Sequence, residues 1–171
     1  MRGLRTTNYE QRTILGIDPG TAATGYGVLT IERDPQVIEY GCIHTSSDEE
    51  MPHRLRTIYQ KVGDIIEKYH PQEAAIEQIY FSKNAKTVLS VGQARGVIIL
   101  AASSKGAKVF DYTPLQIKQA VVGYGWAKKH QVQHMVKDLL HLDNIPSSDD
   151  AADALAVALC HYYSRRLKEE E

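Results

Sequence analysis

Three apolar segments rich in β-branched residues follow one another near the start of the chain, and they constrain the fold more than any other feature. The segments TILGID, GYGVLTIE and QVIEYGCIHT are separated by only a few residues each, and Pro19-Gly20 marks a turn after the first. A parallel connection needs a dozen or more residues, so strands this close together pair antiparallel. The sequence therefore predicts a three-stranded antiparallel meander.

The remaining elements alternate between helix and strand. An amphipathic helix ends at Pro71, the short strand AAIEQ follows, and a long helix runs from about Asn84 to Ser104. AKVFDY is a fifth strand, Pro114 opens a short helix to about Val122, and two further helices complete the domain. This order predicts an α/β fold with a mixed five-stranded sheet, in which three antiparallel strands are followed by two parallel ones, and with helices on both faces.

The chain length of 171 residues suits a single domain. We place that domain at residues 13–164, after a flexible arm over residues 1–12 and before a charged tail over residues 165–171. Two cysteines and the lack of a signal-peptide pattern favour a reducing cytoplasm over a disulfide-rich secreted class. The apolar run GVIILAA is too short to span a bilayer, so no membrane association is expected.

Charge is unevenly distributed although the formal net charge is only -1. Residues 80–141 carry nine basic and two acidic side chains, whereas the segments before and after are acidic. A basic segment inside a nearly neutral protein favours a polyanion-binding face, the alternative being an ordinary solvated surface.

The last predicted helix, in PSSDDAADALAVALCH, contains more acidic residues than helix capping accounts for. Ser147 or Ser148 is a suitable N-cap, and Asp149 suits the positive end of the helix dipole. Asp150 and Asp153 lie on one face that continues into apolar residues, so they point toward protein. A buried carboxylate needs a cationic partner.

Two further acids end apolar strands, where acids are uncommon. Asp18 follows TILGI and Glu77 follows AAI. Either alone could be an edge residue facing solvent, but with Asp150 and Asp153 they form a pattern of four. All-oxygen ligands suit hard divalent ions, Mg²⁺ first and Mn²⁺ second, and two such ions can clamp a phosphodiester.

Four blocks of the sequence closely resemble the RuvC family of Holliday junction resolvases. They are ILGIDPGTAATGYGV, AIEQIYFSKNAKTVLSVGQARG, QIKQAVVGYGWAKKHQVQHMV and DAADALAVALCH. The likeness covers residues 13–163, and the blocks stand in the family's order and spacing. It implies a ribonuclease H-like fold, a homodimer, and a Mg²⁺-dependent endonuclease that nicks two like-polarity strands of a four-way DNA junction symmetrically, leaving 5′-phosphate and 3′-hydroxyl ends.

The resemblance also implies roles for single residues. The family's catalytic, metal-binding acids fall on four positions: Asp18, Glu77, Asp150 and Asp153. Lysines that act in catalysis or DNA contact fall on Lys118 and Lys129. The aromatic that stacks on junction bases falls on Tyr80, where the family usually has Phe.

The wider context follows from the same resemblance. It implies a role in homologous recombination and DNA repair in the bacterial cytoplasm, at the nucleoid, with the RuvA–RuvB branch-migration complex as a partner. We further expect DNA contacts from side chains near these sites: Phe81, Lys83, Lys86 and Lys128. Gly92 and Gly96 in the long helix favour either close internal packing or a dimer seam, and the seam predicts that Gly92→Leu loses dimers.

Other interpretations fit less well. DPGT is also typical of the phosphate loop of actin-like ATPases, but those need two such domains. A ribosomal-RNA-processing nuclease of the YqgF type shares a similar first strand but lacks the GQARG and KQAVVG blocks, and a catalytically dead junction binder would not need all four acids. HQVQH at residues 130–134 has Gln131 where a zinc protease has its Glu. Cys42, Cys160 and His161 are interpreted as packing residues.

Overall fold

A computed structural model describes residues 11–79 and 85–169, and its elements follow the predicted order. The strands are β1 (Arg12–Asp18), β2 (Ala23–Ile31), β3 (Pro35–His44), β4 (Glu73–Glu77) and β5 (Lys108–Tyr112). The helices are α1 (Met51–Tyr69), α2 (Ala85–Ser104), α3 (Pro114–Val122), α4 (Lys129–Leu139) and α5 (Asp149–Glu169).

The strands form one five-stranded sheet in the order β3-β2-β1-β4-β5. β1, β2 and β3 pair antiparallel, and β1–β4 and β4–β5 pair parallel, so the predicted mixed sheet is confirmed. The first three strands are joined by short turns, whereas α1 and α2 supply the long crossovers that parallel pairing requires.

Helices cover both faces of the sheet, as predicted. In β1 the side chains alternate, so Ile14 packs with α3, α4 and α5 while Leu15 packs with α1 and α2. Both residues are almost fully buried. Two cores therefore flank the sheet, and Asp18 lies on the Ile14 side, facing α5.

Helix α5 lies unusually close to the sheet. A Cβ at Gly16 would collide with the backbone of Ala154, and a Cβ at Gly25 would collide with the carbonyl of Asp150. The glycines below and the alanines above, such as Ala158, let the two backbones approach. This close approach fixes where the first turn of α5 lies over β1 and β2.

The ends of the domain differ from the predicted borders. β1 begins at Arg12, inside the predicted arm, and α5 continues to Glu169, inside the predicted tail. The guanidinium of Arg165 lies 3.4 Å from the buried carboxylate of Glu73, which ties this part of the helix to the sheet. The arm's residues 1–10 lie outside the described residues.

The run GVIILAA belongs to α2, which has 20 residues. Within the described ranges, α2 is the one helix long and apolar enough to cross a membrane, judged by length and composition alone. Its inner face packs against α1 and the sheet through Ala94, Ile98 and neighbouring alanines. Core helices of soluble proteins meet the same criteria, so this feature is weak evidence for a span.

Candidate active site

Two of the predicted acids end adjacent parallel strands. Ile17 of β1 is paired with Ile76 of β4, so Asp18 and Glu77, the next residues, come side by side. Neighbouring strands lie about 4.8 Å apart, within reach of carboxylate contact. Both acids stand at the carboxyl ends of their strands, where open sheets form their clefts.

The other two acids come from α5, at the same end of β1. Gly25 is paired with Asp18, and the backbone of Asp150 lies directly against Gly25. Asp153 follows one helical turn later and faces the same cleft, which it lines together with Glu77. The structure therefore brings the four predicted acids together at one end of the sheet.

Electrostatics show how closely these acids interact. Burial, followed by the charges of Glu77, Asp153 and Asp150, raises the pKa of Asp18 to about 9. Asp18 also shares a hydrogen bond with Glu77. Without a metal ion, Asp18 therefore holds a proton at neutral pH and donates it toward Glu77.

Glu77 and Asp153 are also perturbed. Burial raises the pKa of Glu77, although the hydrogen bond from Asp18 and the charges of Lys118 and Lys129 oppose it. Burial raises the pKa of Asp153 too, against the opposing contact with Lys129. Three carboxyl groups with raised pKa values indicate a site with too little positive charge for its acids.

Lys129 supplies part of that charge. Its Nζ lies 3.1 Å from Oδ2 of Asp153 and 3.3 Å from Oδ2 of Asp149. Burial lowers the pKa of Lys129, but the two carboxylates outweigh it and raise the pKa overall. Lys118, the other predicted lysine, lines the same groove as Glu77, Lys129 and Asp153.

Asp149 has a contact that sequence analysis missed. Ser148, one of the two predicted caps, accepts a hydrogen bond at Oγ from the Ala151 N–H. Asp149 instead faces α4, where Oδ1 accepts a 2.7 Å hydrogen bond from Gln133 and Oδ2 contacts Lys129. The hydrogen bond from Gln133, with the charge of Lys129, lowers the pKa of Asp149.

Cys42 also lies nearer the acids than predicted. It is paired with Gly25, and its Sγ lies 3.9 Å from Oδ2 of Asp150. Burial and then the charge of Asp150 raise the pKa of this thiol. Interpreting Cys42 as a packing residue alone was therefore incomplete. Cys160 and His161 are buried in the core, but His161 also forms hydrogen bonds with Tyr112 and Glu73.

Two grooves meet at Glu77. One, of about 280 Å³, runs past Asp18 and along the start of α2. The other, of about 240 Å³, runs between α3, α4 and α5 and is lined by Lys118, Lys129 and Asp153. Together they form a cleft with acids at its centre and lysines along one side.

The other predicted DNA contacts are only partly described. Tyr80, Phe81 and Lys83 lie outside the described residues. Lys86 is exposed in the first turn of α2, beside the first groove, and Lys128 is exposed immediately before α4.

The HQVQH segment forms the start of α4. Gln131 accepts a hydrogen bond at Oε1 from the Lys128 N–H, so it caps the helix. This capping role accounts for a glutamine at that position.

The donor set suits a hard divalent ion by its chemistry. Each of the four acids offers carboxylate oxygens, the ligands that Mg²⁺ and Mn²⁺ prefer. As the side chains stand, no group of three or more His, Cys, Asp or Glu within residues 11–79 and 85–169 is arranged to hold a metal ion. Asp18 is bonded to Glu77 and Asp153 to Lys129, so side-chain rotation would have to accompany metal binding.

The chain is similar to proteins of one named family over most of its length. The family model for crossover junction endodeoxyribonuclease RuvC matches residues 14–161. A protein of that name from Caldanaerobacter subterraneus subsp. tengcongensis is 53% identical over 157 residues, which cover 91% of this chain and 95% of the relative.

Solved structures extend the comparison to the fold. Thermus thermophilus RuvC in complex with a Holliday junction substrate matches with a TM-score of 0.88 at 32% identity, covering 92% of this chain and 96% of the other. The yeast mitochondrial Holliday junction resolvase Ydc2 matches with a TM-score of 0.63 at 13% identity, covering 97% of this chain and 89% of the other. At this low identity the match supports the fold only. The predicted ribonuclease H-like fold class is confirmed.

Proposed function

Because this chain belongs to the RuvC family of crossover junction endodeoxyribonucleases, we propose that it resolves four-way DNA junctions by metal-dependent nicking of two like-polarity strands. The observation that carries the proposal is the convergence of four carboxyl groups where β1, β4 and α5 meet. The cleft around them is open and flanked by lysines, as a nucleic-acid backbone requires.

The four acids would hold the metal. We assign two Mg²⁺ ions, replaceable by Mn²⁺, to four residues: Asp18, Glu77, Asp150 and Asp153. When bound, these ions supply charge stabilisation for the phosphodiester and activation of the attacking water. The raised pKa values of Asp18, Glu77 and Asp153 support this assignment, because a bound cation would stabilise each carboxylate and displace its proton to solvent.

The lysines would act on the DNA. Lys129 neutralises Asp153 in the free protein and would turn toward a phosphate once other cations occupy the acids. Lys118, which lines the same groove, would balance charge that develops on phosphate oxygens. Water attacks phosphorus and the 3′ oxygen leaves, giving the 5′-phosphate and 3′-hydroxyl ends.

Symmetric nicking needs two sites, and α2 offers a surface for a second copy of the chain. Leu89, Gly96 and Leu100 lie on its exposed side, and a Cβ at Gly96 would meet nothing within 4 Å. Gly92 instead faces Ile79, at ordinary contact distance, so Gly96 is the better placed of the two glycines for a seam. We propose a homodimer through this face of α2.

The wider context is proposed on the same basis. We propose that the protein acts in the cytoplasm, at the nucleoid and together with RuvA and RuvB, and its similarity to bacterial RuvC relatives supports this proposal. The ribosomal-RNA-processing and actin-like alternatives are not favoured, since the match to RuvC spans nearly the whole domain.

A cleavage assay tests the function directly. A synthetic four-way junction and a linear duplex of matched sequence are incubated with the protein, with Mg²⁺ or with chelator. We expect paired, ligatable nicks on the junction only, and only with metal. Equal cleavage of both substrates, or cleavage in chelator, would contradict the proposal.

A further inference from the structure

Trp126 is an exposed side chain that the proposed mechanism does not use. Its side chain is 90% exposed, and it is the chain's single tryptophan. It stands in the loop formed by residues 123–128, between α3 and α4, hereafter the tryptophan loop. A fully exposed indole is unfavourable in water, so a partner that covers it would bind more tightly.

The tryptophan loop is held at both ends. Gly123 ends α3 in the left-handed conformation, at φ 91°, and Ala127 is 3% exposed in the core. Between them, Tyr124 accepts a 2.7 Å hydrogen bond from Gln131 of α4. The exposure of Trp126 therefore belongs to an anchored loop.

The residues around Trp126 indicate which class of molecule would cover it. Leu115 and Tyr124 are also exposed, and Leu115 packs against the loop at Gly125, so the indole belongs to an apolar patch. From Thr113 to Lys137 the sequence contains four lysines and no acidic residue. An apolar patch in a basic surface fits nucleic acid, whose bases stack and whose phosphates pair with lysine.

The patch is close to the acids. Trp126 is three residues from Lys129, so their Cα atoms are at most about 11 Å apart. The Nζ of Lys129 in turn lies 3.1 Å from Asp153. Successive nucleotides of a strand are about 3.4 Å apart, so a base on the indole would be only a few nucleotides from the cleaved phosphate.

We propose that Trp126 stacks on a base of the junction, next to the strand that is cut. This inference rests on the proposed function and adds a contact far in the chain from Tyr80. Unstacking a base is easiest where the regular stack of base pairs is already interrupted. Bases at the crossover are therefore the best partners, and Trp126 would favour a junction over a linear duplex.

Intrinsic fluorescence gives a direct test, because all indole emission comes from Trp126. The full chain carrying Asp18→Asn is titrated with a four-way junction in Mg²⁺, while the anisotropy of labelled DNA reports binding independently. We expect the junction to quench Trp126 and protect it from acrylamide, and the duplex to do so less. Junction binding with unchanged emission and acrylamide access would overturn the inference while leaving the proposed function intact.

Variants give a second, independent test. We expect Trp126→Ala to weaken junction binding by on the order of 10-fold, with little change in cleavage rate at saturating DNA, and Trp126→Phe to restore most of the loss. The matched control is Ile38→Ala, an exposed apolar residue in the edge strand β3, which should bind as wild type.

The outcomes separate the two proposals. If the wild type cleaves junctions and Trp126→Ala binds them as tightly as the wild type, this inference alone is wrong. A protein would then be the remaining candidate partner for the apolar patch. If the wild type neither binds nor cleaves junctions, the proposed function fails and this inference fails with it.

Discussion

The ammonium group of Lys129 forms an ion pair with Asp153, at 3.1 Å, and so occupies a carboxylate that the proposed metal site would need. Asp153 is mostly buried and Lys129 is half exposed. The pair therefore neutralises Asp153 and leaves Lys129 able to swing toward solvent.

This pair leads to a prediction about metal affinity. Removing the ammonium in Lys129→Gln frees Asp153, so we expect metal to bind several-fold more tightly, since such a partly exposed pair contributes up to about 1 kcal/mol. Cleavage at saturating metal should fall by about 10²–10³-fold, because the charge that balances the phosphate is lost. Calorimetry and single-turnover cleavage measure the two effects. Weaker metal binding in Lys129→Gln would show that the lysine does not compete with metal.

A second prediction concerns Asp18. Asp18→Asn keeps the size of the side chain but removes one carboxylate from the proposed metal site, so cleavage should be abolished while junction affinity stays within a few fold of wild type. Gel shift and cleavage of the same junction measure both. Cleavage at the wild-type rate would exclude Asp18 from the catalytic centre.

The third prediction concerns stability against pH. In the unfolded chain Asp18 loses its proton near pH 3.8, whereas in the folded protein it keeps it to about pH 9. Between these values the folded state binds more protons, so in chelator the free energy of unfolding should fall as pH rises. Asp18→Asn removes this pH-dependent loss of stability. It should raise the free energy of unfolding of the metal-free protein at pH 7 by about 1–2 kcal/mol and its melting temperature by roughly 3–6 °C. Thermal melts of wild type and Asp18→Asn at pH 5 and pH 7 check this. An increase in melting temperature that is no larger at pH 7 than at pH 5 would contradict the prediction.

The fourth prediction concerns a buried network away from the cleft. Nδ1 of His161 lies 2.7 Å from the hydroxyl of Tyr112, and its Nε2 lies 2.9 Å from the carboxylate of Glu73. Burial lowers the pKa of His161, although Glu73 opposes the shift. The unfolded chain therefore binds a proton first as pH falls below about 6.5, and stability should be lost there.

His161→Gln, which cannot titrate, tests this network. Denaturant unfolding at pH 5 and pH 7, in the Asp18→Asn background, separates the effect from that of Asp18. We expect the stability difference between the two pH values to shrink in His161→Gln. An unchanged difference would assign the acid sensitivity to other groups.

The fifth prediction concerns the dimer. Leu100→Glu places a charge on the exposed side of α2, where Leu100 is 55% exposed. Sedimentation should then show monomers at concentrations at which the wild type is dimeric, because burying an unpaired charge is unfavourable. Ile38→Glu, on β3, is the matched control and should leave association unchanged. Dimers of normal affinity in Leu100→Glu would place the interface elsewhere, and Gly92→Leu provides the corresponding test of the other glycine.

Much of the fold could be predicted because its determinants are local. Pro114 at the start of α3 and the short apolar run of β1 are visible in the sequence, and both have the expected structural effect. Asp18 and Glu77, both predicted at strand ends, lie side by side because β1 and β4 are adjacent and parallel.

The remaining contacts depend on distant parts of the chain. Cys42 reaches Asp150 only because the β2–β3 pairing shifts register between Val28 and Leu29, and no residue pattern announces that shift. Asp149 meets Lys129 only through the packing of α4 against α5. Such pairings arise from tertiary packing, which periodicity does not encode.

Because α5 packs against Gly16 and Gly25, the group of four acids is complete only when the last helix has folded onto the sheet. Asp150 and Asp153 belong to the last described element that a ribosome would deliver, whereas Asp18 and Glu77 come much earlier. A chain that is still being translated, or that has lost its final helix, therefore holds half of its acids. Such a chain would lack two of the four proposed metal ligands, so we expect it not to cut DNA.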